Sequence, residues 1–358
     1  MRRCRAFAIE SIGAALALAS SVAACAGDGG VARADEPITL PAGNTFVATS
    51  SELIGGVYDL AVAPDGEVYV ADYGHKHLLV LSPDGTVRDT IGREGSGPGE
   101  FQRPWVLHAG ADSVRVLDAE TNLVQVFDRA GSFARSYQLD VPGVGFGAGR
   151  DFRDDGALAV AIEGFDSAMV ALVNPTGAAG ARFGEPVVPP TSFFDFGAIK
   201  DEIREGRVPS AFRNQALVVW GPERSVYLAF LTEPEVRRYD ADGTLRWTRT
   251  LDEPVFRSTF ERFVQRNIEE QNAARLHSLR YIEDAAVVGG DLWLLVNTAD
   301  EANGLMLVLD PDDGAVRRRI TFAGLPNTGH FAVDETRRRL YMAPRGDASV
   351  LMFDLPDS

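Results

Sequence analysis

The 358-residue chain reads as an all-β protein, a six-bladed β-propeller built from four-stranded antiparallel blades. Three observations predict this. Short apolar runs of strand type recur along the chain, and each sits inside the same four-strand pattern. The last copy lacks one strand, which the region ahead of the first copy can supply. Helical insertions are expected between blades three and four and between blades four and five.

The recurring runs are VYVAD (68–72), VRVLD (114–118), AVAIE (159–163), VYLAF (226–230), LWLLV (292–296) and LYMAP (340–344). Their starts lie 46, 45, 67, 66 and 48 residues apart, one period with about twenty extra residues in two of the steps. Around the first run the pattern is DLAVAPDG, EVYVADYG, HLLVLSPDG, TVRDTIG, with Asp-Gly and proline turns dividing tight hairpins. The central runs are apolar at successive positions, as befits sheets covered on both faces by neighbouring blades. The sixth copy stops at SVLMFDLPDS, and PITLPAGNTFVATS (37–50) offers the strand that closes the ring and hides its edges.

The propeller is assigned to 38–358. Ahead of it stand a leader at 1–25 and a flexible tether, AGDGGVARADEP, at 26–37. The leader has a basic start, MRRCR, an apolar run at 11–22 too short to span a bilayer comfortably, and VAAC at 22–25. VAAC resembles the lipobox of bacterial lipoproteins, which implies lipidation of Cys25. An ordinary signal peptide cut nearby is the other reading. With Ala26 after the cysteine, the lipoprotein pattern implies export and an outer-membrane anchor in a host with two membranes. The only cysteines are Cys4 and Cys25, so the mature chain would hold no disulfide and no cysteine metal ligand.

The net charge is −16, and removing the basic leader makes the remainder more acidic still. With no basic cluster to offset that charge, nucleic acid is not expected as a partner. The glycine-rich stretch IGREGSGPGEFQRPWVL (91–107) leads into a strand rather than a helix. Pro98 lacks an N–H, and Glu94 and Glu100 would repel phosphate, so its glycines read as punctuation between blades.

GREGSGPGEFQRPWVL followed by SVRVLDAETNLVQVFDRAG, together with YDLAVAPDGEVYVADYGHKHLLVLSPDG, resembles the NHL repeat and related secreted bacterial six-bladed propellers. Peptidyl-hydroxyglycine lyases of that fold bind zinc through channel histidines. Here Lys76 and Trp105 stand at two positions where the resemblance would call for ligands. Gluconolactonase-like propellers use acidic channel ligands for a divalent cation, for which Asp59 and Glu283 are possible counterparts. No GxSxG elbow is present.

Counting nine residues back from each second strand gives the start of each innermost strand: Asp59, Trp105, Arg150, Leu217, Glu283 and Phe331, with His330 beside the last. These should ring the channel mouth on the face that also carries the long loops, and five of the six are charged or large aromatic. The YGHKH loop places His75 and His77 on the same face; a catalytic zinc site needs three protein ligands and an open position, which their spacing does not demand. In the insertions (about 184–214 and 252–281), DFGAIKDEIREG is read as a short helix. Phe256, Phe260, Phe263, Val264 and Ile268 form one helical stripe, with Ser258 and Glu261 as a capping box.

The resulting expectation is a monomeric, envelope-anchored propeller that binds a protein, peptide or small molecule at its top face, without catalysis and without a required cofactor. The binding residues would be Asp59, His75, His77, Trp105, Arg150, Glu283 and His330. The alternative is a divalent-metal lyase or lactonase acting at the channel mouth.

Overall fold

A computed structural model describes residues 37–47, 53–141, 149–162, 167–190, 195–272, 275–298, 303–323, 325, 328–344 and 346–356. The leader, Cys25 and nearly all of the tether lie outside these residues. Among the described residues no helix is long and apolar enough to cross a membrane.

Six antiparallel sheets follow one another along the chain. Blade one comprises Val57–Val62, Val68–Asp72, His77–Leu81 and Val87–Ile91, and blade two Pro104–Ala109, Ser113–Asp118, Leu123–Asp128 and Phe133–Gln138. Blade three comprises Arg150–Phe152, Leu158–Ala161, Val170–Val173 and Ala179–Phe183, and blade four Ala216–Trp220, Val226–Phe230, Glu235–Tyr239 and Leu245–Thr250. Blade five comprises Ile282–Val288, Asp291–Val296, Asn303–Leu309 and Val316–Ala323. Blade six has three strands of its own, Thr328–Asp334, Arg339–Pro344 and Val350–Asp354. The apolar runs singled out in the sequence fall on the second strands of the blades; AVAIE does so as far as Ala161, and its Glu163 lies outside the described residues.

The ring closes as expected, with Asn44–Val47 pairing antiparallel to Val350–Asp354 as the fourth strand of blade six. An unforeseen addition precedes it. Ile38–Leu40 runs parallel to Val316–Ala323 and becomes a fifth strand of blade five, burying Leu40 beside Phe322 and Met306. The segment before blade one thus spans the last two blades.

Packing between blades explains why the second strands are apolar throughout. Tyr69, Ala71, Leu78 and Val80 of blade one meet Leu107, Val114, Val116 and Phe127 of blade two in one apolar layer. At roughly 25 cal/mol per Å² of apolar surface buried, such layers are the main cohesive force between sheets that share no backbone ladder. The repeat also sets an aromatic at the second position of four runs. Tyr69, Tyr227, Trp293 and Tyr341 are all buried, and arginines lie over three of these rings: Arg129, Arg238 and Arg318.

The glycine-rich joint between blades one and two is filled by its own side chains. Glu100 accepts from the Gly97 amide and pairs with Arg93, so a carboxylate already occupies the cradle a phosphate would need. Gly92, at φ +81°, packs where a Cβ would strike the buried Phe101 ring.

Both insertions contain a helix. α1 (Phe196–Arg204) is capped by Asp195, whose carboxylate accepts from the Gly197 and Ala198 amides, and it buries Ile199 and Ile203. α2 (Pro254–Glu269) corrects two expectations. It begins at Pro254, which is suited to the first turn, so Ser258 lies inside the helix and donates to the Val255 carbonyl rather than forming a capping box. Its buried face carries Phe256, Thr259, Phe263 and Asn267, whereas Ile268 is 58 % exposed. The inward stripe therefore includes two polar residues and turns away from Ile268. Phe256 packs edge-on against Tyr281, fixing α2 to the chain just ahead of the first strand of blade five.

Candidate functional site

The first strands of the six blades converge on one cavity of about 220 Å³ at the channel mouth. Register defines its ring. The residues opposite the fourth position of the second-strand runs are Asp59, Val106, Leu217, Asp284 and His330, facing Ala71, Leu117, Ala229, Leu295 and Ala343. Gly149 fills the place of blade three, its carbonyl accepting from the Ala161 amide. A Cβ there would lie 2.5 Å from the Leu217 Cα, so glycine permits the close approach of blades three and four.

Of the residues expected at the mouth, Asp59, Trp105, Arg150, Leu217, Glu283 and His330 all line this cavity. Phe331 does not. It is 3 % exposed and packed in the apolar layer between blades five and six, because the register turns its neighbour His330 toward the channel. The sequence reading missed Tyr58, Arg280 and Asp284, which also line the site. Tyr58 and Asp284 are chain neighbours of Asp59 and Glu283, so a one-residue window would have found both. Arg280 lies at the end of the second insertion, which the repeat does not index.

The mouth is chemically divided. Blades five, six and one contribute Glu283, Asp284, His330 and Asp59, with His330 Nδ1 3.6 Å from Asp284 Oδ2. On the other side, the Trp105 ring stacks on Tyr58 at 5.8 Å, and the Arg150 guanidinium lies 5.4 Å from the Trp105 centroid. Tyr58 in turn meets Tyr73 at 4.3 Å, so an aromatic row runs from the blade-one loop into the mouth.

Three aspartates brace the channel, Asp59 and Asp284 in this ring and Asp151 deeper. Asp59 accepts from the Leu107 amide at 2.9 Å, Asp151 from the Trp220 amide at 2.8 Å, and Asp284 from the Phe331 amide at 3.0 Å. Each bond joins an odd-numbered blade to the next even-numbered one. Asp151 faces Ala159, two steps deeper than Asp59 and Asp284, and lines the opening at the opposite end with Trp220 and His108. Desolvation raises the Asp59 carboxyl to about 7, helped by Asp284 and opposed by His330. Asp151 is likewise raised to about 7 by desolvation, with Asp59 and Asp284 adding to the shift.

His75 and His77 are not among the residues lining the mouth. They gather on Asp72, with His75 Nδ1 at 2.8 Å and His77 Nε2 at 3.6 Å from Asp72 Oδ2. Among the described residues these three form the one set whose possible metal-ligating atoms lie within 4.8 Å of one another. The set does not fit a divalent cation, because Asp72 is already saturated. It accepts from the amides of Gly55, Gly56, Gly74 and His75 as well as facing the His75 ring. Asp118, its counterpart in blade two, accepts from Gln102, Arg103, Glu120 and Thr121 in the same manner, with no histidine near the end of its loop. The aspartate is the structural strut of the repeat. Burial also pushes the His77 imidazole below its ordinary pKa, against the pull of Asp72.

Comparison with known proteins bears on this architecture. Residues 46–147 match the family DUF5128, described as a 6-bladed beta-propeller. The chain is a six-bladed β-propeller. No curated protein matches it. Among solved structures, a streptogramin B lyase is 11 % identical with a TM-score of 0.51, over 87 % of this chain and 97 % of that one. A protein from Bacteroides fragilis is 12 % identical with a TM-score of 0.51, over 90 % of this propeller and 100 % of that chain. U3-55K is 10 % identical with a TM-score of 0.50, over 87 % and 98 %. At these identities the likeness is one of fold.

Proposed function

We propose that this propeller is a non-catalytic binding protein of the cell envelope. It would be held there by a lipid on Cys25 and would capture a small polar molecule, or the end of a peptide, in its channel mouth. The observation that carries the reading is the divided mouth: an aromatic row ending in Arg150 faces carboxylates and a histidine across about 220 Å³. A planar group stacks on Trp105 while hydrogen-bond donors meet Asp59, Glu283 and Asp284. Rings offer apolar area at low entropic cost, and half-buried charges fix orientation.

The metal-dependent lyase or lactonase draws support from the same carboxylates. Among the described residues, however, no three mouth side chains bring ligating atoms within 4.8 Å of one another, and the set that does so is the saturated Asp72 cluster. That geometry favours binding over metal chemistry.

The test combines two measurements on the purified protein. Thermal shifts against a panel of amino acids, dipeptides and monosaccharides should yield a ligand whose effect disappears in Trp105→Ala. Metal content, measured after purification without chelator, should be the same in the parent, Glu283→Ala and His330→Ala. About one divalent ion per chain, lost in either variant, would transfer the assignment to the metalloenzyme.

A further inference from the structure

A second cavity lies between α2 and the segment that leads into blade five. It measures about 70 Å³, several times the roughly 10–15 Å³ that admits one water, and so has room for a single compact group rather than a whole metabolite. Its wall carries Arg262, Arg266, Arg280 and His277, with Thr259 and Ser278 between them, and among the described residues that line it there is no carboxylate. That composition is unusual for a chain with 51 acidic and 35 basic residues. Arg262 and Arg266 stand four apart on one helix face, an arrangement of like charges that disfavours the helix on its own.

The frame around these cations is fixed by buried polar bonds. Asn267 donates from Nδ2 to the Phe263 and His277 carbonyls and accepts the His277 amide on Oδ1. Thr259 donates to the Asn297 carbonyl. These are the two polar residues that replace apolar ones on the inward face of α2. Asn267 holds His277 against the helix and Thr259 ties the helix to Asn297, so the frame of the cationic wall is set in place before any ligand arrives. Glu270, at the end of α2, is an acid that faces this region. It lies 3.5 Å from Arg275 and 3.5 Å from His277 Nε2.

Arg280 lines this cavity and the channel mouth alike. We propose that the α2 cavity is an oxyanion subsite, which takes a phosphate or carboxylate group carried by the molecule seated in the mouth. The assignment of that molecule to the mouth rests on the function proposed above; the anion site itself does not. Arginine forks match the oxygens of both groups, and histidine and hydroxyl donors supply further hydrogen bonds. The negative field of the whole protein is screened beyond about 8 Å at physiological salt, so the local arginines govern the site.

The experiment titrates inorganic phosphate and, separately, acetate into the full-length protein by calorimetry at constant ionic strength, with chloride as the reference anion. Saturable one-site binding is expected, weakened about tenfold or more in Arg266→Gln and partly restored in Arg266→Lys. The tighter of the two probes names the group. Trp105→Ala, which alters the mouth alone, should leave anion binding intact. Circular dichroism of each variant confirms that it is folded. Equal weak responses to phosphate, acetate and chloride, or unchanged affinity in folded Arg266→Gln, would overturn the subsite. Either result would leave the mouth reading standing if Trp105→Ala still abolishes its ligand. Conversely, loss of the mouth ligand reading with phosphate binding retained would separate the two.

Discussion

Asp72 and Asp59 belong to the same blade, each is influenced by a histidine, and both are shielded from bulk water, yet their chemistry differs. Asp72 spends its oxygens on four backbone amides and an imidazole. Among the described residues, Asp59 accepts only the Leu60 and Leu107 amides, and its pKa rises to about 7. A carboxylate beside a histidine is therefore no guide to a site until its hydrogen-bond partners are counted. Saturated, it is architecture; left with spare acceptor capacity at a cavity wall, it is available to a ligand.

Removing the saturated member should produce the largest effect. Asp72→Ala leaves four amides without their acceptor and should cost about 3 kcal/mol or more in urea unfolding, with Asp118→Ala behaving alike. A loss under about 1 kcal/mol would erase the distinction drawn here.

The unsaturated aspartates should appear in the pH dependence of stability. Folded Asp59 and Asp151 hold their protons up to about 7, against 3.8 in the unfolded chain. The folded state therefore carries the extra protons between those values. Their stabilising contribution is complete below about pH 4 and is lost as pH rises to about 7. The melting temperature should fall across that window, and Asp59→Asn with Asp151→Asn should flatten the decline. A melting temperature that rises through the window in the parent, with no change in the double variant, would contradict the assignment.

At the mouth, Trp105→Ala should weaken the ligand about tenfold while leaving urea stability near the parent value, since the ring stacks at the cavity rather than in the core. His75→Ala should have the smallest effect. Its ring is half-buried on a strut that four amides already hold, so a stability change under about 1 kcal/mol and unaltered ligand affinity are expected. A larger change in affinity would bring the YGHKH loop into the site.

The blades were legible because their signals are local: apolar second strands, Asp-Gly turns and one period. The mouth was legible to within one residue, and the reason lies in the turns. Val62 pairs with Val68 in blade one, but Ala109 pairs with Val114 and Val287 with Leu292, so the first-to-second turn is one residue shorter in blades two and five. A fixed count of nine therefore lands on Trp105 and Glu283 instead of Val106 and Asp284. In blade six the turn is longer, with Val333 opposite Leu340, and the count overshoots His330 to reach Phe331. The α2 cavity was not legible, because its cations come from a helix and a return segment that no repeat relates. Ile38–Leu40 was missed because a parallel strand at a blade's rim has no hairpin partner to announce it.

The three aspartate struts carry a mechanical consequence. They tie blade one to two, three to four and five to six, and among the described residues no equivalent carboxylate–amide tie spans the remaining three seams. Those seams are held instead by apolar layers and by side-chain bonds to carbonyls: Arg135 to Pro175 between blades two and three, Trp247 to Pro311 between four and five, and Arg339 to Pro83 between six and one. Neighbouring seams therefore differ in chemistry, and losing one aspartate strut removes a tie from a single pair of blades while the seams on either side keep theirs.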